Sequence, residues 1–351
     1  MARRLLYAAL VLGPIAILLR FAFQAGDVAL FAVAAAALIP LAWLIGEATE
    51  HAAEHTGPGV GGFLNASFGN APELIIAALA IADGLPEVVR GSLAGSVISN
   101  VLLVLGAALV LQSGGEERLD RRSLLTQLGL VAGAVALLLI PSIPGFEGNP
   151  ERHSLAVASI PVSIVLLLVY LAVTAQGLRR HRRLHAAGAG MLEEVAAWSL
   201  PRSLAVLGAA TALTAVVSEV LVHSLEGFAE QAGMSRFFIS AVIVAIVGNA
   251  AEHGGAIVIA RRGKIRLATE IAVSSSAQVG LLVVPVIALI SWAITPALPL
   301  AFRPVEVAAM GGSALFVAAV IFDGKSRRWE GGLLLAAYAV VAAAFWVAGE
   351  R

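Results

Sequence analysis

Cysteine is absent from this chain, which excludes disulfides and thiolate metal sites. Charge is scarce as well: Asp, Glu, Lys and Arg make up 13% of residues, against about 25% in a soluble domain. Those charges sum to zero, so no global field draws nucleic acid or any other polyanion. Hydrophobic residues reach 59% and the mean hydropathy is +0.92. Too little polar surface remains to clothe a water-soluble core over 351 residues. The chain is expected to be solvated by lipid.

What the sequence does have is a series of apolar runs about 17–25 residues long, enough to cross a bilayer as helix. Eleven are legible, at 5–23, 27–50, 59–82, 90–112, 123–141, 154–178, 200–224, 236–260, 268–291, 302–322 and 330–348. They are too long and too rich in Ala and Leu for strands, and no alternating barrel pattern is present. The first run follows basic residues as a signal peptide would. It ends at Arg20 without a small-residue cleavage pattern and reads as a retained helix. Lys and Arg test the count. With a cytoplasmic N-terminus and an outside C-terminus, seventeen fall inside and six outside, a clear positive-inside bias. The basic loops 179–183 and 261–266 contribute heavily, and anionic lipid is their natural contact.

Two parts of the chain resemble each other at an offset of 179 residues. Gly69-Asn70-Ala71-Pro72-Glu73 matches Gly248-Asn249-Ala250-Ala251-Glu252. The same offset carries Ser96 onto Ser275, Ser99 onto Gln278, and Leu102-Leu103-Val104 onto Leu281-Leu282-Val283. Upstream, Thr49-Glu50 resembles Ser218-Glu219. The expected fold is therefore an all-α polytopic membrane protein with one extra N-terminal helix (1–25), a five-helix repeat (26–178), a basic cytoplasmic linker (179–199) and a second five-helix repeat (200–351). Five is odd, so the second copy is inverted in the membrane. Transporters of this design bind substrate at mid-depth between the repeats.

A carboxylate in hydrocarbon costs about 2.5–3.5 kcal/mol at a helix centre, so matched glutamates deep in two helices need a reason. Side chains lean toward the N-terminus of their helix. Glu73 and Glu252, on antiparallel spans, should lean toward each other. Gly69 and Gly248 precede them, and Pro72 lacks a backbone N–H, features that loosen a helix and free carbonyl oxygens. Asn70 and Asn249 add side-chain oxygens. An oxygen-only set suits Ca²⁺ with its 6–8 ligands and disfavours soft metals. Ser96, Ser99, Ser275 and Gln278 are placed to donate to the carboxylates or to line the path. Adjacent carboxylates repel unless a divalent cation or about two protons neutralise them, which makes exchange of the two the expected chemistry. His253 follows Glu252 directly and points about 100° away on a helix.

These segments are similar to the signature regions of the Ca²⁺/cation–proton exchanger (CAX) family, within the wider cation/Ca²⁺ exchanger superfamily. The resemblance rests on Phe68-Gly69-Asn70-Ala71-Pro72-Glu73-Leu74-Ile75-Ile76, Gly248-Asn249-Ala250-Ala251-Glu252-His253 and Ser274-Ser275-Ser276-Ala277-Gln278. It covers 47–106 and 215–286 closely, and the rest by helix count and order. The resemblance implies a Ca²⁺/H⁺ antiporter of eleven helices in the cell membrane, with Glu73 and Glu252 as central cation and proton carriers and no cofactor. It further implies that Glu50 and Glu219 line the access paths, and that Ser96, Ser275 and Gln278 belong to the site region. Two departures stand out. The inter-repeat segment is basic at 179–183, with only Glu193-Glu194 acidic, and Ser274 occupies a position where glycine is expected.

Rival readings are a Na⁺-coupled Ca²⁺ exchanger, a passive channel and, remotely, a membrane zinc peptidase. The last rests on His51-Ala-Ala-Glu54-His55, formally an H-x-x-E-H pattern. Glu270 and Glu306 lie near helix starts and read as surface carboxylates. A homo-oligomer is left open.

Overall fold

The computed structural model describes residues 2–185, 198–294 and 297–350. Among them the chain is helical apart from loops and a single antiparallel bridge between Arg118 and Lys325. In chain order the helices are α1 (Ala2–Ala9), α2 (Leu12–Phe21), α3 (Asp27–Gly69), α4 (Ala71–Ala82), α5 (Pro86–Ile98), α6 (Leu105–Leu111), α7 (Arg121–Phe146), α8 (His153–His185), α9 (Leu200–Ala232), α10 (Arg236–Phe238), α11 (Ala245–Gly248), α12 (Ala250–Arg261), α13 (Ile265–Gln278), α14 (Val284–Ile290), α15 (Pro304–Val320) and α16 (Arg328–Ala348). Three wider π-helical stretches, Ser99–Val104, Ile239–Val244 and Val279–Val283, join α5 to α6, α10 to α11 and α13 to α14.

Local chemistry sets several of these ends. Asp120 accepts a hydrogen bond from the Ser123 amide at 3.2 Å and caps α7. Pro86 and Pro304 open α5 and α15, where a missing N–H costs nothing. Gly233, at φ 65°, closes α9 in the left-handed region. Where the sequence suggested a linker from residue 179, α8 continues to His185; Glu193 and Glu194 lie outside the described residues.

Among the described residues, eight helices are long and apolar enough to cross a membrane, or nine if the pair Arg236–Gly248 and Ala250–Arg261, bent by 59°, is counted as one span. Two further apolar helices, Ala71–Ala82 and Pro304–Val320, are shorter than a full crossing. The expected runs 27–50 and 59–82 do not appear as two separate rods, because α3 carries helix through both and halts at Asn70. A straight helix would place Phe68 more than about 30 Å from Ile45. Phe68 instead packs on the cluster of Ile45, Ala48, Leu207 and Ala210. The helical chain therefore doubles back between residues 48 and 68, and the two runs lie side by side.

The loops interlock the repeats at both ends of the bundle. At the arginine-rich end, the Leu119 amide donates to Gly324 O at 2.8 Å, and Ser326 to Glu117 O at 2.9 Å. Lys325 and Arg327 flank Glu116 at 2.9 and 3.0 Å and hold its carboxyl below the usual range. At the opposite end, Leu300 and Phe302 amides reach the hydroxyls of Ser159 and Ser142. There the buried Arg90 bridges Pro299 O and Glu151. Glu306, expected at the surface, is 1% exposed: its carboxylate turns back to the Arg303 amide at the start of α15.

Candidate cation site

Both repeated motifs break their helices at the same residue. Asn70 (φ −100°, ψ 15°) separates α3 from α4, and Asn249 (φ −93°, ψ 8°) separates α11 from α12. Each break leaves one half-helix presenting its carbonyl end and the next presenting its amide end. Glu73 and Glu252 occupy the first turns of the new halves, where the positive end of the helix favours a carboxylate. The carbonyl ends at Gly69 and Gly248 carry the opposite partial charge and suit a cation.

The motifs face each other and interdigitate. A Cβ placed on Gly248 would lie 3.3 Å from Glu73 Cγ, and one on Gly69 would lie 3.9 Å from Glu252 Oε1. Each glutamate thus packs against the other motif's glycine, and a larger residue at Gly248 would push Glu73 aside. One oxygen of each carboxylate, Oε2 in both, is buried without a protein partner, so the pair keeps acceptor capacity for an ion or a proton. Glu73 is 7% exposed, while Glu252 is more accessible.

Neutral side chains brace this core across the repeat boundary. Asn70 Nδ2 donates to Gln278 Oε1 at 3.4 Å. Asn249 Nδ2 donates to Ser96 Oγ at 2.8 Å and to Ala245 O at 2.9 Å. Ser275 Oγ accepts from Asn100 Nδ2 at 3.3 Å. The sequence suggested that these residues donate to the carboxylates or line the path; in the structure Ser96 and Ser275 bind asparagines, and Ser99 Oγ turns back to Ser96 O. His253 is buried with Nε2 unpartnered. Glu50 on α3 is exposed and Glu219 on α9 is half-buried.

Two contributors escaped the sequence pattern. Asn100 also donates to Asn249 Oδ1 at 3.3 Å. Its counterpart at the 179-residue offset is Val279, so a search for matched pairs passes over it. A lone amide inside an apolar helix was the available signal. Ser276 Oγ donates to Val97 O at 3.0 Å, and those two residues are themselves 179 positions apart. Equivalent points of the repeats meet there, which marks the axis relating them.

The His51-x-x-Glu54-His55 pattern does not form a zinc site. His51 stacks on Trp198 with centroids 4.8 Å apart, and His55 Nε2 bonds the Trp198 carbonyl oxygen at 2.7 Å. Among the described residues no group of three His, Asp or Glu gathers around a point where a metal could sit.

The model of the sodium/calcium exchanger protein family matches residues 27–176 and 202–347. The chain is 39% identical over 327 residues to the Ca²⁺/H⁺ antiporter ChaA of Bacillus subtilis (strain 168), covering 91% of this chain and 92% of that protein. It is 36% identical over 346 residues to vacuolar cation/proton exchanger 1a of Oryza sativa subsp. japonica, covering 93% and 77%. The solved structure of native YfkE superposes with a TM-score of 0.81 at 34% identity, over 99% of this chain and 100% of that one.

Proposed function

This chain belongs to the sodium/calcium exchanger protein family, and from that premise we propose that it is a Ca²⁺/H⁺ antiporter. It is an integral membrane protein and a secondary transporter, with Ca²⁺ and protons as cargo. The observation that carries this reading is the reciprocal packing of Glu73 on Gly248 and of Glu252 on Gly69. It puts two carboxylates and two helix carbonyl ends around one point.

The chemistry follows from charge. A divalent cation needs both carboxylates ionised and supplies the attraction that offsets their mutual repulsion. Protons remove the same charge, so cation and protons compete for one pair. Asn70 and Asn249, tied to Gln278 and Ser96, hold the broken ends in register, and the backbone carbonyl ends of the broken helices complete a hard ligand set. If only the loaded forms reorient, each Ca²⁺ that moves one way is answered by protons moving the other.

Eleven crossings fit this reading, with Ala71–Ala82 completing the third and Pro304–Val320 forming the tenth. The arginine-rich end faces the cytoplasm with the N-terminus, and the C-terminus lies outside. Glu50 and Glu219 line the two approaches, and His253 sits behind the pair.

Proteoliposomes loaded with a pH gradient test the proposal. Purified protein should take up Ca²⁺ in proportion to the gradient and dissipate it. Glu73→Gln or Glu252→Gln should abolish both fluxes. Uptake that survives either substitution rejects the site, and uptake that follows a Na⁺ gradient instead rejects proton coupling.

A further inference from the structure

Helix α13 carries a polar stripe that the mechanism above leaves unused. Glu270, Ser274 and Gln278 recur every four residues and therefore share one face. They are partly accessible, whereas Ala272, Val273, Ser275, Ser276 and Ala277 between them are buried. The stripe begins about one turn inside the arginine-rich end. It runs roughly 12 Å to Gln278, whose side chain touches Asn70 in the cation site. Gln278 is partly accessible as well, so the stripe joins the arginine-rich end to a residue that touches the cation site.

Glu270 stands at the mouth of this stripe and is not the surface carboxylate its sequence position suggested. Ser123 Oγ and Gln127 Nε2 both donate to its Oε2 at 2.8 Å. Its Oε1 is buried and has no partner. Both partners are neutral, and no described cation pairs with it; Arg266, one turn nearer the end, is engaged by Asp120 at 3.1 Å. A half-buried carboxylate with no paired cation focuses cations toward itself. Ser274 Oγ is occupied only by Ile271 O of its own helix, so the stripe stays polar up to Gln278.

The equivalent positions in the first repeat are Gly91, Gly95 and Ser99, all buried. No charge stands at the Gly91 position, so the feature belongs to one approach only.

We propose that Glu270 is a staging carboxylate for the divalent cation, drawing it from the arginine-rich end along Ser274 and Gln278 to Glu73 and Glu252. This rests on the antiporter reading and adds a site to it. Membrane vesicles of both orientations, assayed for Ca²⁺ concentration dependence, test the idea. For Glu270→Gln, which keeps an acceptor for Ser123 and Gln127, half-saturating Ca²⁺ at the arginine-rich face should rise about tenfold. At the opposite face it should not move, and Glu270→Asp should restore most of the loss. Ser274→Leu, which plugs the stripe, should slow uptake from the same face alone. An unchanged half-saturation there, or an equal rise at both faces, overturns the proposal. Wild-type vesicles with no Ca²⁺/H⁺ exchange would instead overturn the antiporter reading itself.

Discussion

Helices α5 and α13 occupy the same place in the two repeats, yet one is sealed and the other is not. Gly95 lies so close to Ala241 that an added Cβ would run into its carbonyl oxygen, and the α10–α11 segment closes over that face. Ser274, its counterpart, keeps a hydroxyl in partly accessible space. The difference lies in how closely each helix is covered: Gly91, Gly95 and Ser99 are buried, whereas Glu270, Ser274 and Gln278 are partly accessible.

The sharpest way to break the comparison is to remove what both halves share. Glu73→Gln and Glu252→Gln should each eliminate Ca²⁺-coupled proton flux in proteoliposomes, because either leaves a single carboxylate facing the cation. A nearly all-or-none contrast should come from labelling, which the cysteine-free background makes clean. Ser274→Cys should react with a membrane-impermeant maleimide from the arginine-rich face, and Ser99→Cys should not. Equal reaction of both would show the two helices to be equally covered.

Smaller effects should appear in stability. Gly95→Ala forces a backbone shift and should cost about 1–3 kcal/mol, read as a lower midpoint in thermal unfolding of detergent-solubilised protein. Asn100→Val copies the residue of the second repeat into the first. It leaves Asn249 Oδ1 and Ser275 Oγ without that donor, at a cost of about 1–3 kcal/mol, with weaker Ca²⁺ binding by calorimetry. Ser274→Ala, at the open counterpart of Gly95, should change stability by less than about 0.5 kcal/mol. A Ser274→Ala loss as large as that of Gly95→Ala would show the two positions to be equally packed.

Much of the architecture was legible because lipid leaves few options: every apolar run had to become helix. The paired motifs were legible because polar residues are costly there and so stand out in hydrocarbon. Details governed by contact were harder to see. The reversal within α3 keeps helical backbone through a stretch read as a break. Glu306 is buried because its carboxylate turns back to the Arg303 amide. Glu270 was passed over because depth near a helix start depends on the neighbouring α7, which supplies Ser123 and Gln127. Asn100 lacks a repeat partner, so internal symmetry pointed away from it.

By itself the sequence determined that two acidic side chains sit in matched motifs within apolar helices, since polar residues stand out in hydrocarbon. Only the tertiary structure decided which of the two copies is covered. Both repeats carry nearly the same local pattern, and accessibility depends on how closely the α10–α11 segment packs over the glycines of α5, a long-range choice that no short stretch of residues encodes.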